Sequence, residues 1–174
     1  MGTSLTRADE GVNFATAHPG TGRLAGRDHG RTPQIVLASD LSSASAHAAD
    51  RAIDLAVERG AHLIVLSVVD PIGLRLPGGR FLRRIDQERT RVERGGQALV
   101  LRARSAGVRA TFLVWEGEPV ETILSAAEAE RADLIVLGTH ERGRLGRLVS
   151  GSVSARVAQA ARCEVLVVPR GPSA

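Results

Sequence analysis

Five short, predominantly apolar runs, each separated from the next by a stretch of helical period, restrict what this chain can fold into. The runs are Ile35-Val36-Leu37-Ala38, His62 to Val69, Ala110 to Trp115, Leu134-Ile135-Val136-Leu137 and Val165-Leu166-Val167-Val168. A strand wetted on one face alternates polar and apolar residues, whereas a strand covered on both faces is apolar throughout. Between the runs the apolar spacing lengthens to that of a helix. Ala49, Ala52, Ile53, Ala56 and Val57 share one face of a helix that Ser42 or Ser43 caps and Gly60 stops after Arg59. Ile85, Val92, Leu99 and Ala103 form a stripe on a long helix from about Leu82 to Ala106, ended by Gly107. Its middle holds Gly95-Gly96, each costing about 1 kcal/mol against alanine. Pro119 opens a third helix with Glu121, Ile123, Leu124 and Ala127, and Val153, Val157 and Ala160 belong to a short fourth. The order β-α-β-α-β-α-β-α-β predicts an α/β fold, a doubly wound parallel sheet with helices on both faces.

Residues 1–33 have no apolar period and are rich in glycine, so they read as a disordered N-terminal tail before a domain at 34–170. His18 and His29 lie in that tail, too isolated to make a metal site. Cys163 is the one cysteine, so no internal disulfide forms and a reducing, cytoplasmic setting is expected. No apolar run approaches the roughly 18 residues of a membrane span, and the N-terminus has no apolar h-region.

All 23 basic residues are arginine. A P-loop NTPase, a lysine Schiff base and an ordinary kinase each need a lysine, so all three are excluded. The net charge of +4 is blocky: residues 75–109 carry a local +7 and residues 110–134 a local −5. With Phe14, Phe81, Phe112 and Trp115 as the whole aromatic set, base-stacking platforms are scarce and nucleic acid is a poor candidate partner. Neither His47, His62 and His140 nor Cys163 falls into a catalytic spacing, so no catalytic residue is assigned.

Ligands on doubly wound sheets bind beyond the strand carboxyl ends, where the strand order reverses. After the first strand comes Ser39-Asp40-Leu41-Ser42-Ser43, in which Asp40 either accepts from a ribose hydroxyl or base amine, or closes a turn for the next helix. After the fourth comes Gly138-Thr139-His140-Glu141-Arg142-Gly143-Arg144-Leu145-Gly146-Arg147, and then Gly151-Ser152-Val153 at a helix start. Glycines admit an anion to backbone N–H groups, the helix start adds free donors and Ser152 a hydroxyl. Arg142, Arg144 and Arg147 offer bidentate cationic donors. Together they make a lysine-free phosphate cradle.

The spacing from Gly138 to Gly151-Ser152 resembles the G-x2-G-x9-G-[ST] signature of the universal stress protein family. The stretches QIVLASDLSSASAHAADRAIDLA, LIVLSVVDP and ADLIVLGTHERGRLGRLVSGSVSARVAQAARCEVLVVP extend that resemblance over 34–169. It implies a Rossmann-like five-stranded sheet of order 3-2-1-4-5 that binds ATP or another adenine nucleotide in some members. On that pattern Asp40 is the nucleoside aspartate, Ala38 stands beside it, Val68 borders the adenine, and Leu137 precedes the first motif glycine. Gly138, Gly151, Ser152 and Val153 match the phosphate loop and helix start, with Arg142 and Gly143 between them. Glu141 stands where the second motif glycine belongs. Its carboxylate would repel phosphate by roughly 4 kcal/mol at about 4 Å and an effective dielectric near 20. Arg142 or a bound Mg²⁺ offsets this, or the ligand is AMP or cyclic AMP, which carry less charge. The alternative is a dimeric interaction protein whose site is impaired by Glu141; a slow ATP hydrolase is a third reading. The resemblance also implies a homodimer paired through the apolar edge strand Val165 to Val168, an association hazard if left bare.

Overall fold

The computed structural model describes residues 31–70, 81–139 and 152–169. Five parallel strands form one sheet: β1 (Gln34–Ala38), β2 (His62–Val69), β3 (Ala110–Glu116), β4 (Leu134–Gly138) and β5 (Glu164–Val168). Their spatial order is β3-β2-β1-β4-β5. In register, Ala38 lies between Leu66 of β2 and Leu137 of β4. Four α-helices connect the strands: α1 (Ala46–Arg59), α2 (Phe81–Ser105), α3 (Pro119–Ala129) and α4 (Val153–Ala160).

The apolar runs divide between two cores, as strands covered on both faces must. Ile35, Leu37, Leu63, Val65, Phe112 and Val136 face α1 and α2, meeting Ala52, Ala56, Val92, Val100 and Ala103. Val36, Ala38, Ile64, Leu66, Trp115 and Leu137 face α3 and α4, meeting Val120, Ile123, Ala126 and Val157. Each valine, leucine, isoleucine or phenylalanine among them contributes about 1.5–3 kcal/mol by leaving water, and each alanine methyl about 0.8 kcal/mol.

Three helix details depart from the sequence reading. The first α-helix begins at Ala46, after one 3-10 turn over Ser43–Ser45, and no serine side chain caps either segment. The hydroxyls are engaged elsewhere: Ser42 Oγ donates to Asp40 Oδ1 at 2.8 Å, and Ser45 Oγ donates to the Ser42 carbonyl at 2.9 Å. Val57 is 53% exposed, because the seam of α1 runs through Ala48, Ala49, Ala52, Ile53, Leu55 and Ala56. Ala160 is exposed at the last residue of α4, leaving Val157 and Ser154 as that helix's buried contacts. The expected stops hold, with Gly60 left-handed at φ 58 and Gly107 at φ 82.

At the amino edge of the sheet, Asp133 Oδ2 accepts from the Gln34 N–H and Oδ1 from Arg31, both at 2.7 Å. His62 bridges Gln34 Oε1 at 2.9 Å and Thr111 Oγ1 at 2.8 Å, joining the amino ends of β1, β2 and β3. Burial, aided by the Arg109 charge, lowers the His62 pKa below its ordinary 6.5. This histidine belongs to the edge opposite the candidate site.

Candidate functional site

From β1 the chain passes to β2 on one side, and later returns to β4 on the other. The strand order therefore reverses between β1 and β4, and doubly wound sheets hold ligands in a crevice beyond the strand carboxyl ends at such a point. Ser39 N–H extends the ladder by donating to Leu66 O at 2.9 Å, and Thr139 N–H donates to Val168 O at 3.0 Å. Beyond Ser39 the chain leaves the sheet for the turn at Asp40.

Ala38, Val68 and Leu137 stand at this edge on the face covered by α3 and α4. Ala38 and Leu137 are buried, whereas Val68 is partly buried and pairs in register with Trp115 of β3. Trp115 is 4% exposed and its indole N–H has no hydrogen-bond partner among the described residues. The sequence reading brought these apolar residues together but left out Trp115.

Asp40 is exposed, and its Oδ1 accepts from the Ser42 N–H at 3.0 Å and the Ser42 hydroxyl at 2.8 Å. These bonds close an Asx turn ahead of the helix, one of the two roles the sequence allows Asp40. Both of these bonds fall on Oδ1. Leu41 follows in the left-handed region at φ 57, a conformation costing a leucine about 1–2 kcal/mol. The Ser39 hydroxyl accepts from the Leu41 N–H at 3.0 Å and lies 2.9 Å from Ser45 Oγ.

α2 reaches this turn through Arg91, whose Nη1 and Nη2 each donate to the Asp40 carbonyl at 3.1 Å. Glu88 holds the other edge of the guanidinium, accepting from Nε at 3.0 Å and from Nη2. The Arg91 hydrogen bond holds the Glu88 carboxyl below its ordinary range, and the same bond raises the Arg91 pKa. Sequence spacing carried no sign of Arg91, which stands 51 residues beyond its partner.

Across the crevice, Ser152 is the N-cap of α4, its Oγ accepting from the Ala155 N–H at 3.2 Å. Because α4 runs between two parallel strands, its amino end lies at the carboxyl edge of the sheet. Val153 opens the helix and is partly solvated. Arg156 ties α4 to the α3 N-cap, donating to Glu118 Oε1 at 3.0 Å. A Cβ on Gly138 would meet Ala48 at 3.6 Å and Ser45 at 3.7 Å, ordinary contact distances. Packing against α1 therefore does not demand glycine there. Glu141, Arg142, Gly143 and Gly151 lie outside the described residues, as do His140, Arg144 and Arg147.

Among the described residues no three His, Cys, Asp or Glu side chains stand together to hold a metal, and no helix is long and apolar enough to cross a membrane. Cys163 is half-buried, and burial pushes its thiol up, away from the thiolate a nucleophile needs.

A sequence profile of the universal stress protein family matches residues 32–169. A universal stress protein of Thermus aquaticus is 38% identical over 136 residues, covering 77% of this chain and 96% of its own. One from Methanocaldococcus jannaschii is 36% identical over 143 residues, covering 79% and 82%. Among solved structures, a universal stress protein in complex with cAMP superimposes with a TM-score of 0.62 at 26% identity, covering 79% of this chain and 97% of that one.

Proposed function

The chain belongs to the universal stress protein family, and on that premise we propose that it binds an adenine nucleotide in the β1/β4 crevice and acts in the cytoplasm as a stress-response sensor or regulator. One observation carries the reading: Asp40 on a held turn, the apolar Ala38, Val68 and Leu137, and the amino end of α4 at Ser152 converge on one sheet edge. These are the groups a nucleoside phosphate needs. The apolar trio takes the purine face, Asp40 accepts from ribose hydroxyls or the base amine, and the α4 donors with Gly138, Arg142, Gly143 and Gly151 take phosphate. The similarity to a cAMP-bound relative supports the same ligand class.

Glu141 selects among nucleotides. Its carboxylate opposes the triphosphate more than a monophosphate or cyclic phosphate, so AMP or cyclic AMP binds better than ATP unless Mg²⁺ accompanies the latter. Such an ion would arrive on the nucleotide's own phosphates, since the described residues hold no cluster for it.

Native mass spectrometry and calorimetric titration with ATP, AMP and cyclic AMP, with and without Mg²⁺, test the proposal. Retained nucleotide or saturable heat is expected. No retained ligand and no heat at millimolar concentration would favour the second reading, a dimeric interaction protein whose site Glu141 has impaired. Under either reading we infer a homodimer through β5. That strand ends the sheet, and Val165, Leu166 and Val167 keep partial exposure on an otherwise apolar edge. Sedimentation as a monomer at micromolar concentration would refute the dimer.

A further inference from the structure

The turn that carries Asp40 is held from another element, and the inference drawn from it rests on the nucleotide reading above. The peptide unit between Asp40 and Leu41 is gripped at both ends. Its carbonyl oxygen accepts from two nitrogens of Arg91 at 3.1 Å each, and its N–H donates to Ser39 Oγ at 3.0 Å. Glu88, one turn earlier on α2, aims the guanidinium. Gly95, one turn later, seats the Leu41 side chain so closely that a Cβ there would lie 3.1 Å from Leu41 Cβ. Left-handed backbone in a leucine persists only where its surroundings over-determine it. Here α2 supplies two of those determinants, 51 residues along the chain from Asp40.

The core does not require this arrangement. Arg91 is exposed, and an (i, i+3) pair with Glu88 satisfies both charges on a helix surface without touching any loop. The guanidinium instead spends two donors on one carbonyl next to the candidate ligand-binding carboxylate. We propose that Arg91 is a positioning residue: it locks the Asp40–Leu41 peptide and so fixes the direction in which Asp40 offers its carboxylate to a nucleoside hydroxyl or amine. A lysine cannot substitute, because a single ammonium does not reproduce the planar fork that meets the carbonyl and Glu88 together.

The test combines amide hydrogen exchange with calorimetric titration of AMP and ATP on the full chain, using Arg91→Met, Arg91→Lys and Asp40→Asn. In Arg91→Met the Leu41 amide should exchange about tenfold faster, while the strand amides of Leu37, Val65 and Val136 keep their wild-type rates. Nucleotide affinity should fall on the order of tenfold, the worth of one hydrogen bond to a charged group. Arg91→Lys should restore little of it. In the Asp40→Asn background the same Arg91→Met change should cost nothing further, because Arg91 acts through Asp40. Unaltered Leu41 exchange overturns the proposal. So does faster exchange with unaltered affinity, or an affinity loss that is equally large without the Asp40 carboxylate. A wild-type chain that binds neither nucleotide overturns the reading of the site itself, and the exchange measurement still separates that outcome from failure of the clamp.

Discussion

Replacing Gly96 by alanine sets helix propensity against packing. Gly96 lies inside α2, where alanine is favoured over glycine by about 1 kcal/mol. A Cβ at this position would stand 2.2 Å from Cζ of Phe112, and 2.3 and 2.4 Å from its two Cε atoms. Carbon atoms rest about 3.5–4.0 Å apart, so the overlap exceeds about 1 Å at three atoms at once. Phe112 is 0% exposed and lies in the core between β3 and α2, so its ring has no solvent to retreat into. Either α2 lifts from the sheet or the ring leaves its rotamer. Overpacking of this kind costs about 1–3 kcal/mol and sometimes more, and an off-rotamer ring adds about 1 kcal/mol. After the propensity gain the net loss is about 1–3 kcal/mol, or roughly 4–12 °C in Tm for a domain of this size. Urea unfolding followed by the emission of Trp115, the chain's one tryptophan and 4% exposed, reads the change as a lower midpoint at unaltered slope. Phe112→Leu removes the overlapping ring atoms, so the double variant should be more stable than the sum of the singles by more than about 1 kcal/mol. A Gly96→Ala protein that is neutral or stabilised, or a strictly additive cycle, would refute this reasoning.

The remaining predictions concern charge. His62 has a folded-state pKa below 6.5, so between those two values the unfolded chain binds a proton that the folded chain refuses. Its contribution to stability is therefore complete above pH 6.5 and is lost as pH falls through that interval. Tm measured from pH 7.5 down to 5 should drop, and His62→Gln should flatten the slope; an equal slope in the variant contradicts the assignment. Asp40→Asn should weaken nucleotide binding on the order of tenfold while Tm moves by less than about 1 kcal/mol equivalent, since asparagine keeps the side-chain oxygen that closes the turn onto Ser42. Glu141→Gly should raise affinity for ATP more than for AMP if Glu141 faces the phosphates, and unchanged affinity for both places that carboxylate in solvent.

Much of the fold was legible because its cause is local. Apolar runs such as Val36-Leu37-Ala38 and Ile135-Val136-Leu137 report double-sided burial directly, and Gly60 and Gly107 mark helix ends by backbone freedom alone. The start of α1 was misplaced because the capping preference of Ser42 and Ser43 is local, while their neighbourhood is not. Ser39 and Asp40 drew the hydroxyls of Ser45 and Ser42 away from the helix. Val57 fitted the helical period yet faces solvent, since period fixes relative direction and only the sheet fixes which direction is inward. At the site, Asp40 drew notice by its place after β1, whereas Ala38, Val68 and Leu137 were singled out only by the family resemblance. The contacts of Arg91, Trp115 and Gly95 went unseen, because each is made with a partner on another element.

Taken alone, then, the sequence determined the element order, the double-sided burial of the sheet and the sheet edge that carries the candidate site. Those follow from periodicity, turn chemistry and the chirality of parallel crossovers, all short-range properties of an L-polypeptide. Tertiary structure decided how the edge is held. Gly95 and Gly96 looked like a weakness of α2, and became the seats for Leu41 and Phe112 once the helix lay against the sheet. Arg91 looked like one charge on a solvated helix, and became the clamp on the Asp40 peptide. Contacts across 51 residues depend on distances that close only when the layers pack, so no local pattern encodes them.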